Sequence, residues 1–443
     1  MNGRGGAAVS MHLGDNVPSV KRRNRALILE LILRNGPIPR VTPSEITGLS
    51  RAAVSTITGE LIDAEVIYET GDTHEGKRSV GRAPVFLDIN ADIGGVVAVE
   101  VTSETVQGAF LNLKSEIKQE YSCTISDVSK IDLVLSRVTE CINHLIMGAQ
   151  ADKKRIMGIG ISFSGLIDPF SGMLISSTSM GWKKVNLAEA LRNEANIPIV
   201  IDSNVRAMVL AEHLFGAGRG VSNMALIYMG TGIGCGIILN DEVYAGSANR
   251  AGEIGHTTVV GAEGKLCSCG NTGCLETMAS GRAIAAWASA AIQAGGKSII
   301  TDMVAGDCGR INADVVARAA AIGDSLAQEA FAQAAPYLAL AIANLINCYD
   351  PRLVVLAGHV TAVSETMLQT IRGVVEERAI SGSIPPEITM SKFGLKVGVV
   401  GAGALALREL VYSPRFDLPG DLRSDNGKDL LPQRTLRLTI NRG

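Results

Sequence analysis

The chain has 443 residues, 47% of them hydrophobic, and a formal charge of −3, which is enough for two or three domains with real cores. Near-neutrality excludes a nucleic-acid coat protein or a polybasic membrane binder. The Gly-rich, polar first 17 residues lack an apolar central region, so no signal peptide is expected. The prediction is a cytoplasmic protein with reduced cysteines and no membrane partner.

Charge is unevenly placed. Residues 1–58 carry eight Lys/Arg against three Asp/Glu, the mark of a polyanion-binding module at one end. Residues 1–17 are expected to be disordered and 18–90 to form that module. Residues 20–35 read as a helix with a basic rim of Lys21, Arg22, Arg23 and Arg25, stopped by Gly36-Pro37. A short helix near 41–47 follows, with Pro43 tolerable only in its first turn. Gly48-Leu49 makes a tight turn, and Ser50 is placed to cap a third helix over 51–64. Val54, Ile57 and Leu61 lie on one face of that helix. Arg51, Ala52, Ser55 and Thr56 lie on the other, small or hydrogen-bonding groups suited to a DNA groove. Strands at 66–69 and 85–89 would form a wing. Lys77, Arg78 and Arg82 in the intervening hairpin, together with Arg40, are further candidate contacts to duplex DNA. The pattern predicts an all-α/winged helix-turn-helix domain.

From residue 94 onward, apolar strands alternate with amphipathic helices. Strands are expected at 96–101, 106–113, 117–124 and 156–163, with a helix at 130–148. A second run is expected to open with a strand at 199–202 and a helix at 205–215. Strands at 224–229, 234–240, 353–357 and 395–399 and a helix at 401–410 complete it. Two successive α/β units imply two lobes around a cleft, residues 91–200 plus 398–412 and residues 201–397. The apolar stretch 331–349 is interrupted by Gln333, Pro336, Asn344 and Asn347, and reads as a buried helix. Residues 413–443 lose periodicity and are expected to be a disordered tail.

Within the second unit the sequence Gly-Glu-Ile-Gly-His (252–256) precedes Cys267-Ser-Cys269-Gly-Asn-Thr-Gly-Cys274-Leu-Glu276. One imidazole and three thiols, His256, Cys267, Cys269 and Cys274, form a complete tetrahedral zinc set with no position left for water. Such a zinc, one per chain, is structural. It would hold Glu253 and Glu276 rigidly at one wall of a pocket.

This cluster, the run Gly-Thr-Gly-Ile-Gly-Cys-Gly (230–236), the stretch Gly-Ile-Gly-Ile-Ser-Phe-Ser-Gly-Leu-Ile-Asp (158–168) and the amino-terminal module together resemble the ROK family over residues 20–411. The resemblance implies a two-lobed α/β actin/hexokinase-like (ribonuclease H-like) fold. The family contains bacterial sugar kinases and sugar-responsive repressors, and its repressor branch carries a helix-turn-helix. The resemblance also implies the zinc site and sugar contacts at Glu253, His256 and Glu276.

Family kinases place an Asp-x-Gly-Gly-Thr phosphate loop between the first two strands. By strand order the matching residues here are 100–104, Glu-Val-Thr-Ser-Glu, without glycine. The similar Asp-Ile-Gly-Gly-Val (92–96) precedes the first strand and is a decoy. Asn204 stands where the family's aspartate acts as general base, and an amide takes no proton near neutral pH. Gly230-Thr231-Gly232 reads as a tight hairpin.

The expectation is a regulator without catalysis, a repressor of carbohydrate uptake or catabolism genes. Ser164, Gly165, Ser203, Asn204, Glu253, His256 and Glu276 would bind a sugar or sugar derivative. A homodimer or homotetramer would grip a double-stranded operator with two half-sites, and closure on the sugar would change their fit. The alternative is an active sugar kinase with an appended DNA-binding domain.

Overall fold

The computed structural model describes residues 17–71, 85–192, 197–358, 365–380, 386–416 and 418. Among the described residues the chain forms two compact units, one of residues up to 90 with 408–418 and one of residues 91–407. Lys77, Arg78 and Arg82, most of the expected disordered start and the expected tail from 419 onward lie outside the described residues.

The first unit opens with α1 (Val17–Asn35), followed by β1 (Ile38–Pro39), α2 (Thr42–Thr47), α3 (Arg51–Asp63), β2 (Ile67–Thr70) and β3 (Phe86–Ile89). Pro43 falls in the first turn of α2, where its missing N–H costs nothing. Gly48 ends α2 in the left-handed conformation at φ 70°, which turns the chain sharply into α3. Ser50 then caps α3, its hydroxyl accepting from the Ala53 N–H at 3.2 Å. Ser50→Ala is expected to cost about 1 kcal/mol, measurable by chemical denaturation. Val54, Ile57 and Leu61 are buried while Arg51, Ala52, Ser55 and Thr56 are exposed together. β1, β3 and β2 form one antiparallel sheet, with Ile67 opposite Ile89.

One expectation for this unit fails. Arg25 is not on a basic rim but is only 1% exposed. Its guanidinium donates to the Phe416 carbonyl and lies 6.0 Å from that ring's centroid. A distant apolar segment reclaims the side chain, which helical periodicity alone does not reveal.

The second unit is built on two five-stranded sheets. The first contains β4 (Gly94–Val101), β5 (Thr105–Asn112), β6 (Ile117–Thr124), β7 (Arg155–Phe163) and β11 (Ile199–Ser203) in the order β11-β7-β4-β5-β6, with α4 (Ile131–Ala151) packed on it. β8 (Leu166–Asp168), β9 (Met173–Ser177) and β10 (Trp182–Asn186) form a small antiparallel sheet, followed by the short α5 (Leu187–Ala190). Thus β11, expected to open the second lobe, pairs parallel with β7 and closes the first sheet. A buried strand's composition does not say which sheet receives it.

After α6 (Asn204–Phe215) come β12 (Met224–Met229), β13 (Ile233–Leu239) and β14 (Glu242–Val243), then α7 (Leu275–Ala279), α8 (Gly281–Gln293), α9 (Ile300–Met303), α10 (Ala313–Ala321) and α11 (Ser325–Tyr349). β15 (Leu353–Gly358), α12 (Glu365–Arg378), β16 (Glu387–Met390) and α13 (Val397–Ala406) complete the unit. The second sheet runs β14-β13-β12-β15-β16. α11 is long and apolar enough to cross a membrane, but Phe331, Leu338, Ile342 and Leu345 pack in the core of the second sheet.

The strand expected at 395–399 is instead the start of α13. All ten residues of α13 are buried, so its sequence has no polar face to betray a helical period. α13 packs on α6 and on the first sheet. A Cβ on Gly401 would lie 2.7 Å from the Ala207 backbone, and one on Gly160 would lie 1.9 Å from the Ala402 carbonyl. Glycine is what allows these close approaches.

Candidate effector and metal site

β7 and β11 run parallel and in register, Ser203 opposite Phe163, so their C-terminal ends deliver Ser164-Gly165 and Ser203-Asn204 to one edge of the first sheet. Strand ends of this kind are where open α/β sheets bind ligands. The Ser177 hydroxyl donates to the Ser164 carbonyl at 2.6 Å, and Gly165 holds φ 144° against Ser176 and Ser177. Asn204 is the first residue of α6, buried, with its Oδ1 accepting from the Val205 N–H at 2.9 Å.

Asp202 is tied to α6. Its Oδ1 accepts from Arg206 Nε at 2.8 Å, from Arg206 Nη2 and from the Ser203 N–H at 2.7 Å.

Glu253, His256 and Glu276 are gathered by a single loop. A one-turn 3-10 helix spans Ile254–His256, and the Leu275 N–H donates to the Thr257 carbonyl at 2.9 Å, docking α7 beside it. His256 Nε2 is 4.0 Å from Glu253 Oε2. About half of the Glu253 side chain is exposed. Desolvation still pushes its carboxyl above the usual carboxylate range, and Glu276 adds to the effect while His256, Arg206 and Arg250 oppose it. Glu276 accepts from the Ile233 N–H at 3.2 Å and from Arg282 at 2.9 Å. A side chain at Gly232 would strike Glu276 Oε2 at 2.4 Å.

The ligand atoms of His256, Cys267, Cys269 and Cys274 all lie within 4.8 Å of one another. Cys269 Sγ is 3.7 Å from Cys274 Sγ, and Cys267 Sγ is 3.6 Å from His256 Nδ1. Tetrahedral zinc with bonds of about 2.3 Å to sulfur and about 2.0 Å to nitrogen requires edges of roughly 3.5–3.8 Å. The donor set therefore fits such an ion, with Nδ1 facing the sulfurs and Nε2 facing Glu253. Burial works against Cys269 ionising, but the Asn271 N–H and the Cys267 and Cys274 thiols hold it below the ordinary thiol range. Burial, then Cys269 and Cys267, push Cys274 up to about 12. A shared cation is what would let all three shed their protons.

The Gly230–Gly232 turn is spent on itself. The Gly230 N–H donates to the Gly232 carbonyl at 3.0 Å, its carbonyl accepts from the Gly281 N–H at 2.9 Å, and the Ile233 N–H is taken by Glu276. The Thr231 hydroxyl donates to Glu104 Oε1 at 3.3 Å, placing a carboxylate over the loop. A cavity of about 320 Å³ lies beside it, lined by Glu104, Thr231, Arg282, Asn312 and Asp314 among others. The turn 102–104 does connect β4 to β5, whereas Gly94 and Gly95 lie within β4.

Sequence reasoning missed two residues. Arg206 is a charged side chain buried in a largely apolar helix, and an ionisable residue at an inward position was the available signal. Arg282, paired with Glu276, had no such signal. Of the candidate DNA contacts, Arg40 is ion-paired with Glu69.

Residues 96–409 match the ROK family. A xylose repressor of Caldicellulosiruptor bescii is 29% identical over 90% of this chain and 98% of its own length. A glucokinase of Halalkalibacterium halodurans is 32% identical, over 71% of this chain and 95% of its own. The crystal structure of a ROK family transcriptional regulator homologous to the E. coli Mlc protein superposes with a TM-score of 0.73 at 28% identity, covering 90% of this chain and 98% of that one.

Proposed function

This chain belongs to the ROK family, and from that premise we propose that it is a DNA-binding transcriptional repressor of carbohydrate genes, released by a sugar, with its phosphotransfer centre lost. The observation that carries the reading is the state of the old catalytic cleft. Asn204 stands at the base position, Asp202 is paired through Oδ1 with Arg206, and the Thr231 hydroxyl donates to Glu104. A phosphate approaching that loop meets the negative charge of Glu104. Repressor relatives that match 90% of the chain, beyond the 71% shared with the glucokinase, favour the same conclusion.

In the proposed site, hydroxyls of a sugar or sugar derivative contact Asn204, Glu253, His256 and Glu276, with Ser164, Gly165 and Ser203 behind the ring. His256 serves twice, ligating through Nδ1 and presenting Nε2 to the cleft. His256, Cys267, Cys269 and Cys274 would hold structural zinc, whose chemistry is to brace the loop and leave no open position. The exposed face of α3, Arg51, Ala52, Ser55 and Thr56 with Ser50, would enter the major groove. Lys77, Arg78 and Arg82 are assigned to the flanking minor groove, and Arg40 to the backbone once it exchanges Glu69 for phosphate. A homodimer or homotetramer in the cytoplasm would bind two half-sites. A hundredfold release needs only about 2.7 kcal/mol of coupling.

The test pairs footprinting with an ADP-release assay. Protection of a two-fold-related sequence, relieved by one sugar of a mono- and disaccharide panel, is the expected result. ADP release should stay at background with every sugar, and Asn204→Asp alone should not restore it because Glu104 remains. Turnover of any sugar would establish the kinase alternative instead.

A further inference from the structure

We infer that Arg206 is a positioning residue, a latch that ties the two walls of the effector cleft and sets how tightly the sugar is held. It rests on the reading of that cleft as a sugar site. The guanidinium is only 4% exposed, inside a helix whose other inward residues are mostly apolar. Burying a cation is costly unless its donors are filled, and the bonds that fill them reach three separate segments. Nε and Nη2 donate to Asp202 at the end of β11. Nη2 also donates to the Ile167 carbonyl in β8 at 2.8 Å, and Nη1 to the Asn249 carbonyl at 3.1 Å.

The two carbonyls are informative because a simple ion pair has no need of them. Ile167 lies two residues after Gly165, in the wall contributed by the first sheet. Asn249 belongs to the loop that returns through Gly252 into Glu253 and His256, the opposite wall. That loop is itself held in an unusual shape. Asn249 has φ 57°, the Ala251 N–H donates to the Ala245 carbonyl at 3.0 Å, and the Gly252 carbonyl accepts from the Cys235 N–H at 3.1 Å. A planar fork with donors on three sides can span the gap at fixed spacing, whereas an ammonium is a point charge on a flexible stem. Arg206 therefore fixes the distance between the backing serine and the carboxylates without touching the sugar.

Two full-length variants test this, Arg206→Lys and the double variant Arg206→Leu/Asp202→Asn. The double variant removes both charges together, so no unpaired ion remains to unfold the protein. Arg206→Lys keeps the pair with Asp202 but not the spanning fork. Both are expected to bind the operator as the wild type does, while sugar affinity falls at least about tenfold. Both should show faster hydrogen exchange at the Asn249 and Ala251 amides. Wild-type sugar affinity in the lysine variant would overturn the latch, because the ion pair would then suffice. Parallel loss of operator binding, sugar binding and melting temperature would overturn it as well, leaving a merely structural residue. If the wild type binds no sugar in the panel, the sugar reading falls instead. The exchange rates then decide the latch alone, and unchanged rates refute it.

Discussion

Cys274→Ser is expected to strip the metal from the chain and to weaken sugar binding by at least about a hundredfold. Cys274 is fully buried and sits at the N-cap of α7, two residues before Glu276. Its thiolate would therefore link the ion to the helix that carries one effector carboxylate. Without the ion, residues 257–274 are held mainly by turns and two isolated bridges, Thr258 with Cys274 and Leu266 with Thr272. Structural zinc supplies on the order of 10 kcal/mol to small sites of this composition, far more than such bridges can. Cys269→Ser, at an exposed ligand, should follow the same course less severely. The measurements are metal content of the purified chain, near one equivalent in the wild type, and calorimetric titration with the sugar. Full sugar affinity in metal-free protein would show that the loop holds its shape unaided.

A second large effect is expected at Glu100, near the C-terminal end of β4. The residue is 4% exposed, and its Oε1 has no hydrogen-bond partner among the described residues. A Cβ on Gly398, at the start of α13, would lie 2.0 Å from its carboxyl atoms, so the group is packed in from above. Burial raises its carboxyl from 4.5 to about 7. In the unfolded chain it ionises near its ordinary value, so between these two pH values the folded state binds more protons. Stability is then greatest below about 4.5 as far as this group is concerned, and falls as pH rises toward 7, by about 3 kcal/mol in total. Above 7 the contribution is constant. Glu100→Gln should remove that slope and stabilise the protein by about 2–3 kcal/mol at pH 8, with little change at pH 5. Urea denaturation of both proteins at the two pH values measures it. A flat wild-type profile would mean that Glu100 ionises as freely in the fold as in the unfolded chain.

In the first sheet, Glu100 and Glu104 bracket the turn where a family kinase would cradle phosphate. The structure adds that Glu104 engages Thr231 across the cleft. Glu104, exposed in a turn without glycine, sets negative charge where a polyanion would approach, whereas Glu100 is buried against Gly398. This supports repurposing of the cleft more strongly than the single change at Asn204, since a lone amide leaves room for a rescuing base. The nearby Asp202 carboxylate is bonded through Oδ1 to Arg206.

Much of the outline was legible beforehand because its signals are local. The short apolar strand runs at 96–124, the Gly48 turn, the Ser50 cap and the Cys-x-Cys-x4-Cys spacing each depend on residues a few positions apart. A short apolar run does not separate strand from buried helix, so the expected strand at 395–399 is in fact a 3-10 turn leading into α13. Local signals also fail wherever a side chain's partner lies far along the chain. Arg25 meets Phe416, and Arg206 meets Ile167 and Asn249, and neither distance leaves a trace in spacing.

By itself, then, the sequence determined which chemical groups are present: four metal donors, an amide at the base position, a polar face on α3, and carboxylates in the phosphate turn. Only the tertiary structure decided how they are used. It put Nδ1 of His256 among the sulfurs, turned Asp202 into Arg206's partner, and moved β11 into the first sheet. The reason is physical. Donor type is a property of a residue, but desolvation and hydrogen-bond saturation depend on atoms brought close only when distant segments pack.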